Sequence, residues 1–389
     1  MLATLAAFFL NATGAVADST RLYVSLITCD PGSEVYELEG HSGIRIIEND
    51  RDVIANWGLF DFDAPNFVYR FVKGETDYCL GLIPTDRFIY SYARQGRRIT
   101  EQPLALTRQE ARRLIDAINE NARPENRIYR YNYVKDNCAT RPLKLIEMAV
   151  APDTLILSTP FPDTATPPAT IRQSMTRYHA AYPWYQFGID LALGSGIDTP
   201  ATDRDMTYAP ATLRQMLTGA TVGQHRQLTS DPFTILHPSP SGGPLAPTPW
   251  YLTPTFTLWL LCLLSAAISI RNIRNLRISR WFDSIFYTLL GIAGLILTFL
   301  VFISTHEATA PNWLLLWINP LCLIVPISLW CSRIRKVGAI FHLLNIAGIV
   351  TFATIWCAGI QQGNPAFIPL MLTDIMRAIV FLYTYRNVK

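Results

Sequence analysis

Tyr131-Asn132-Tyr133-Val134-Lys135-Asp136-Asn137-Cys138-Ala139-Thr140-Arg141 is the stretch on which the reading of this chain turns. Pro142 follows it, and Leu143, Leu145, Ile146, Met148 and Ala149 then supply the apolar face of a helix. Proline lacks an N–H and is tolerated only in a first turn, so the helix should begin close to Cys138, capped by Asp136 or Asn137. A cysteine at a helix amino terminus meets unpaired N–H groups and the positive end of the helix dipole, which favour thiolate over thiol. Cys138 is therefore the candidate nucleophile, and the same N–H groups are candidates for an oxyanion site. A lone cysteine is more often a small buried hydrophobe. The polar cluster Asp136-Asn137-Cys138-Ala139-Thr140-Arg141 shifts the balance toward chemistry, with Asp136, Asn137 and Arg141 as supporting or oxyanion-side residues.

Such a thiol needs a histidine to share its proton and a third polar group to orient the imidazole. His41, in Leu38-Glu39-Gly40-His41-Ser42-Gly43-Ile44-Arg45, stands at the mouth of an expected strand, with Ser42 beside it in a supporting place. His179, in Tyr178-His179-Ala180-Ala181-Tyr182-Pro183-Trp184, competes for the role. Asn56, on the next expected strand, is favoured as the orienter over Asp61 or Asp63. Phe60-Asp61-Phe62-Asp63 and Pro65-Asn66-Phe67 read first as a loop packed on its own aromatics, in which Asp61 and Asn66 could also serve a ligand.

Outward from these residues, the chain divides by charge. Of 389 residues 50% are hydrophobic and only 16% charged, apolar for a soluble protein. Nearly uncharged runs occupy 250–270, 284–304, 312–330, 338–360 and 366–385. Each has about 20 residues, enough to cross roughly 30 Å of hydrocarbon as a helix, so five spans are expected. Arg271, Arg274, Arg277 and Arg280 follow the first, Arg333, Arg335 and Lys336 the third, and Arg386 and Lys389 the fifth, whereas 305–311 and 361–365 carry no Lys or Arg. Basic loops face the cytoplasm, which places everything before Trp250 outside and the carboxyl end inside. The net charge of +3 reflects this loop bias and not a nucleic-acid patch. Asp374 and Arg377 fall within the fifth span, read as a self-neutralising pair or a lipid head-group contact; His342, in the fourth, is read as a helix-to-helix hydrogen bond.

The amino terminus fits export: 2–10 is an apolar core and Ala15-Val16-Ala17 a small-x-small cleavage pattern, giving a signal peptide over 1–18. Without a basic leader, an uncleaved anchor is the other reading. Residues 19–228 form the outer domain, 229–250 a Pro-rich linker and 251–389 the membrane domain. Within the outer domain, strands are expected over 22–28, 43–48 and 53–60, and Thr107 with Glu110 makes a capping box ahead of Ala111, Leu114, Ile115 and Ile118. The prolines of 229–255 suggest a semi-rigid tether. Cys29 and Cys79 could pair, leaving Cys138 the odd thiol outside the spans. There is no internal repeat, no phosphate-cradling glycine loop and no Cys-x-x-Cys zinc pattern; the chemistry calls for no metal or organic cofactor.

Gly40-His41-Ser42-Gly43-Ile44-Arg45, Asn56-Trp57-Gly58-Leu59-Phe60-Asp61-Phe62-Asp63-Ala64-Pro65-Asn66-Phe67 and Asp136-Asn137-Cys138-Ala139-Thr140-Arg141 resemble the periplasmic domain of the Lnb-type lipoprotein N-acyltransferases. Trp184-Tyr185-Gln186-Phe187-Gly188-Ile189-Asp190-Leu191-Ala192-Leu193-Gly194 is similar to a further stretch of it, and the likeness continues by topology into five membrane spans. The resemblance implies an α+β outer domain of permuted papain-like, NlpC/P60-related fold, followed by an all-α five-helix transmembrane domain in the bacterial inner membrane. It implies Cys138 as thiol and His41 as base, passing an acyl group from a phospholipid donor through a thioester to the amino-terminal cysteine of a lipoprotein acceptor. The family commonly shows tyrosine where Trp57 stands and threonine where Ala139 stands, and neither departure touches the thiol or the base. Two other classes remain open: a cysteine hydrolase acting on cell-envelope peptides, and a non-catalytic membrane scaffold.

Overall fold

A computed structural model of the chain describes residues 22–387 apart from 163, 240, 241, 244 and 245. The expected signal peptide lies outside the described residues. Alternating apolar residues build a ladder of β1 (Leu22–Cys29), β2 (His41–Glu48) and β3 (Arg51–Leu59), with Asn49 at φ 54° in the turn between the last two. Next come α1 (Phe67–Lys73), β4 (Asp77–Pro84), α2 (Thr85–Arg94), β5 (Ile99–Pro103), α3 (Arg108–Asn121), β6 (Ile128–Arg130) and α4 (Thr140–Val150). The domain continues through β7 (Leu155–Ile156), α5 (Ile171–Tyr178), α6 (Pro183–Ala192), α7 (Pro210–Thr218), β8 (Thr221–Val222), β9 (Arg226–Gln227) and β10 (Phe233–Leu236).

Seven strands form one antiparallel sheet in the order β10-β5-β1-β2-β3-β4-β6, and β7, β8 and β9 form a small second one. Period two splits each strand between two faces. Leu26, Ile44, Ile46 and Trp57 pack with Leu114 and Ile118 of α3 and Leu143 and Ile146 of α4 on one side, and Ile27, Cys29 and Ile54 meet Phe88 of α2 on the other. The α3 capping box is complete: Glu110 N–H donates to Thr107 Oγ1 and Thr107 N–H to Glu110 Oε2.

Four sequence expectations are corrected here. Cys29 and Cys79 are both free thiols. They sit on β1 and β4, with β2 and β3 between them, three strand spacings or about 14 Å, where a disulfide needs Cα atoms within about 7 Å. The semi-rigid tether expected over 229–255 is not a tether throughout, because Phe233-Thr234-Ile235-Leu236 pairs with β5 as the edge strand of the main sheet. Its strand-forming residues lie among prolines that dominated the composition. In the membrane domain, Arg377 bonds Asp283 and Ser269 and not Asp374, which instead accepts from Tyr287 Oη and Asn345 Nδ2. Both side chains reach one neighbouring helix, a turn apart at Asp283 and Tyr287, with the helix of Ser269 completing the Arg377 site and that of Asn345 the Asp374 site. His342 likewise makes no hydrogen bond among the described residues and packs against the rings of Tyr287 and Phe381.

Among the described residues, five segments are long and apolar enough to cross a membrane: α8 (Pro254–Asn275), α9 (Arg280–Phe302), Trp313–Trp330, Ser332–Cys357 and α12 (Phe367–Asn387). The third is broken into two 3₁₀ turns before α10 (Ile324–Trp330), and the fourth is mostly α11 (Arg335–Cys357). Irregular backbone is tolerated at such depth only when protein covers it, and Leu314, Trp317, Ile318 and Cys322 are buried. The outer domain rests on the two loops that lack Lys and Arg: Thr305 N–H donates to Lys73 O (2.8 Å), Gly194 N–H to Ala308 O (2.8 Å) and Asn364 Nδ2 to Asp190 Oδ2 (2.9 Å).

Candidate active site

His41 opens β2 and lies directly opposite Cys29 of β1, so it shares the α2 face of the sheet; Asn56 shares that face through Ile54, two residues before it on β3. The turn into β2 passes through Gly40 at φ 82°, where a Cβ would lie 2.5 Å from Cys29 O, so a residue with a side chain would displace the strand that carries His41. His41 Nε2 is 2.6 Å from Asn56 Oδ1. An amide oxygen only accepts, so Nε2–H donates and Nδ1 is left for the thiol. Cys138 arrives from the other layer, two residues ahead of α4, and its sulfur and the imidazole each shift the other's ionisation.

Asn137 holds the turn that presents the sulfur. Its Oδ1 accepts from Ala139 N–H (2.8 Å) and Thr140 N–H (2.9 Å), Thr140 Oγ1 accepts from Asn137 N–H (2.8 Å), and its Nδ2 donates to the carbonyls of Tyr133 (2.6 Å) and Tyr208 (2.9 Å). The helix therefore starts where Pro142 required, with Asn137 and not Asp136 as its cap. The expectation that several helix-start N–H groups face an oxyanion is corrected: Asn137 consumes those of Ala139 and Thr140. The Cys138 N–H has no partner among the described residues.

Electrostatics separates this thiol from its neighbour. Burial pushes the Cys29 thiol up to about 12. Burial opposes ionisation of Cys138 as well, but the His41 imidazole, the Ser42 backbone N–H and the Tyr131 hydroxyl outweigh it and hold the thiol below its ordinary value. Burial likewise opposes charge on His41, and the Cys138 sulfur with the Asn56 carbonyl raises its pKa above that of free imidazole. The opposed shifts favour a thiolate–imidazolium pair.

The remaining candidates have identifiable places. Ser42 Oγ donates to Cys138 O (2.8 Å) and ties β2 to the turn. Arg141 pairs with Asp136 (2.8 Å) and lies over the Tyr129 ring, so both brace the turn from outside. Asp61 and Asn66 are exposed in the aromatic loop, where Asp61 accepts from Asp63 N–H (2.9 Å) and Asn66 precedes α1 at φ 56°. His179, the competing base, is 1% exposed with both ring nitrogens engaged, by Gln186 Oε1 (2.8 Å) and Glu39 Oε1 (2.6 Å).

Two family models match the chain, the Lnb N-terminal periplasmic domain over residues 9–177 and the Lnb transmembrane domain over residues 246–388. The chain belongs to the Lnb-type lipoprotein N-acyltransferase family. It is accordingly a membrane-bound, lipoprotein-modifying enzyme of the inner membrane, with its amino-terminal domain in the periplasm. No curated protein and no solved structure matches it.

Two features of this Lnb site escape sequence reasoning. Tyr131, inside the quoted stretch but without a role there, places its hydroxyl 3.9 Å from Cys138 Sγ. Gly58, at φ 94° in the bulge of β3, makes room for it, since a Cβ there would lie 3.3 Å from Tyr131 Cε2. The second is a buried polar run from Glu39 through His179 and Gln186 to Asp190, joined by Arg172 (3.0 Å) and by Asn364 of the membrane domain. The sequence offered its members separately, Glu39 beside His41, His179 as a competing base, and Gln186 and Asp190 in the Trp184–Gly194 stretch, with nothing to join them.

Proposed function

We propose that this protein is a thiol acyltransferase that carries a fatty acyl group from a phospholipid, through a thioester on Cys138, to the amino terminus of a lipoprotein. The row Cys138–His41–Asn56 carries the proposal: Asn56 Oδ1 holds His41 Nε2, and Ser42, beside His41, bonds the Cys138 carbonyl and brings the thiol to the ring. In the first half, the thiolate attacks the ester carbonyl carbon, the carbon–oxygen bond breaks, and the His41 imidazolium gives its proton to the departing alkoxide of the lysolipid. In the second, the lipoprotein amine attacks the thioester carbonyl, the carbon–sulfur bond breaks, and His41 takes the amine proton, restoring the ion pair. Asn56 keeps the ring in the tautomer that offers Nδ1 to sulfur. The Cys138 N–H and the neutral Tyr131 hydroxyl flank the sulfur and are the donors for the tetrahedral oxyanion.

A helix-borne thiol facing a histidine and an asparagine on adjacent strands, with histidine first in sequence, supports a permuted papain-like fold. We place the sheet-forming periplasmic domain from β1 through β10 and the carboxyl end in the cytoplasm, from the arginine-rich loops opposite the docked domain. Full-length protein in phospholipid vesicles with a diacylated lipoprotein should yield N-acylated product, and Cys138→Ala should yield none while inserting normally. Full activity in that variant excludes the mechanism; free fatty acid as the sole product assigns a hydrolase.

A further inference from the structure

α1 and the loop before it, with Tyr36 from the β1–β2 connection packed against Phe60 and Phe62, expose more apolar surface than a water-facing segment tolerates: Tyr36 is 54% exposed, Phe62 56%, Val68 73%, Tyr69 54% and Phe71 46%. The charges on α1 leave most of this surface bare, since Arg70 is paired with Asp77 (2.6 Å) and Lys73 with Glu75 (2.7 Å), Lys73 reaching over the Tyr69 ring alone (5.9 Å). The position of the segment gives the patch its meaning. α1 is pinned to the outer end of α9, where Ser304 Oγ donates to Val72 O (3.0 Å), His306 Nε2 to Phe71 O (2.9 Å), and the Tyr69 ring meets that of Phe299 at 6.2 Å. Phe299 lies one turn inside a 23-residue span, about 34 Å long at 1.5 Å per residue, against a hydrocarbon core of roughly 30 Å. The exposed face of α1 is therefore level with the outer leaflet.

The same patch leads inward. Phe71 stacks on Phe67 (5.8 Å), Phe67 on Phe60 (5.7 Å), Phe60 meets Tyr78 (5.1 Å), and Tyr78 meets Tyr131 (4.6 Å), whose hydroxyl reaches Cys138 Sγ. We infer that α1 is embedded in the outer leaflet and that this aromatic run receives one phospholipid acyl chain, guiding its ester to Cys138. The proposal rests on the acyl-transfer reading for its endpoint, yet lipid contact along the run is measurable without catalysis. Aromatic faces suit the task because they bind a methylene chain along its length without fixing its register.

The test is photolabelling of the full-length Cys138→Ser variant in vesicles of phosphatidylethanolamine and phosphatidylglycerol, doped with a phospholipid carrying a diazirine at its acyl terminus. Adducts mapped by mass spectrometry should fall within residues 60–71 and on Tyr78, in addition to the membrane helices. Adducts confined to α8–α12 overturn the proposal. Val68→Ser with Phe71→Ser, both exposed positions, should cut labelling of 60–71 and raise the KM for lipid in the otherwise native enzyme by about tenfold with kcat little changed. Unchanged labelling and KM contradict it, and would assign the patch to a protein partner. Labelling of 60–71 in an enzyme that forms no acyl-thiol would leave the lipid lane standing and remove the acyl-transfer reading alone.

Discussion

Cys138 and His41 owe their proposed roles to opposite displacements, and those fix a pH window. The thiol is held below its ordinary value, so thiolate is lost only as pH falls through that lowered value; the imidazole is raised, so imidazolium is lost as pH rises through the raised one. Turnover should be bell-shaped between the two. Alkylation of Cys138 followed against pH should show its midpoint moving up toward an ordinary thiol in His41→Ala, with turnover down about 10²–10⁴-fold; an unmoved midpoint removes His41 from the pair. Asn56→Ala should shift the alkaline limb downward while leaving a reactive thiol, because the imidazolium loses the acceptor that supports it. Tyr131→Phe should lower kcat by about 10²-fold with little change in KM, the signature of a lost oxyanion donor. The sequence could propose Cys138 from its helix start, His41 from a strand mouth and Asn56 from the next strand, because those elements are defined by residue type alone. Tyr131 was not readable in this way, because its approach depends on the β3 bulge at Gly58 and on Tyr78 beneath it, contacts between elements far apart in sequence.

At the scale of elements, α4 is specified by Pro142 and by Asn137, which caps it while anchoring the turn to Tyr133 and Tyr208. Asn137→Ala should cost about 1–2 kcal/mol in thermal or denaturant unfolding and slow alkylation of Cys138. Asn137→Asp keeps the acceptor for the helix N–H groups but loses both Nδ2 donors, and should recover part of the stability and less of the thiol reactivity. Equal loss in both variants would mean that the anchor to Tyr133 and Tyr208, and not the cap, sets the turn. Strands β1 to β3 and helix α3 were legible because alternation and a capping box are local signals. The edge strand β10 was hidden, since four residues amid prolines acquire their state only from the open edge of β5.

For the whole molecule, hydropathy and the Lys and Arg count located five spans, and the domain docks on the side that count assigns to the periplasm. What composition could not show is the wiring inside the bundle. Arg377 and Asp283 form a fully buried pair between α12 and α9 (2.5 Å). Arg377→Leu should destabilise the protein in detergent by about 3–5 kcal/mol, and adding Asp283→Leu should recover most of that, because the penalty lies in the orphaned charge. No recovery in the double variant would show that the pair holds the helices by geometry and not by charge balance.

The central claim is that Cys138 carries the acyl group. Full-length enzyme incubated with phospholipid vesicles in the absence of a lipoprotein acceptor, quenched in acid and digested, should show by mass spectrometry an acyl chain on the Cys138 peptide that hydroxylamine removes. His41→Ala should greatly reduce its rate of appearance. An unmodified Cys138 peptide, from enzyme shown in parallel to N-acylate lipoprotein, would contradict the account.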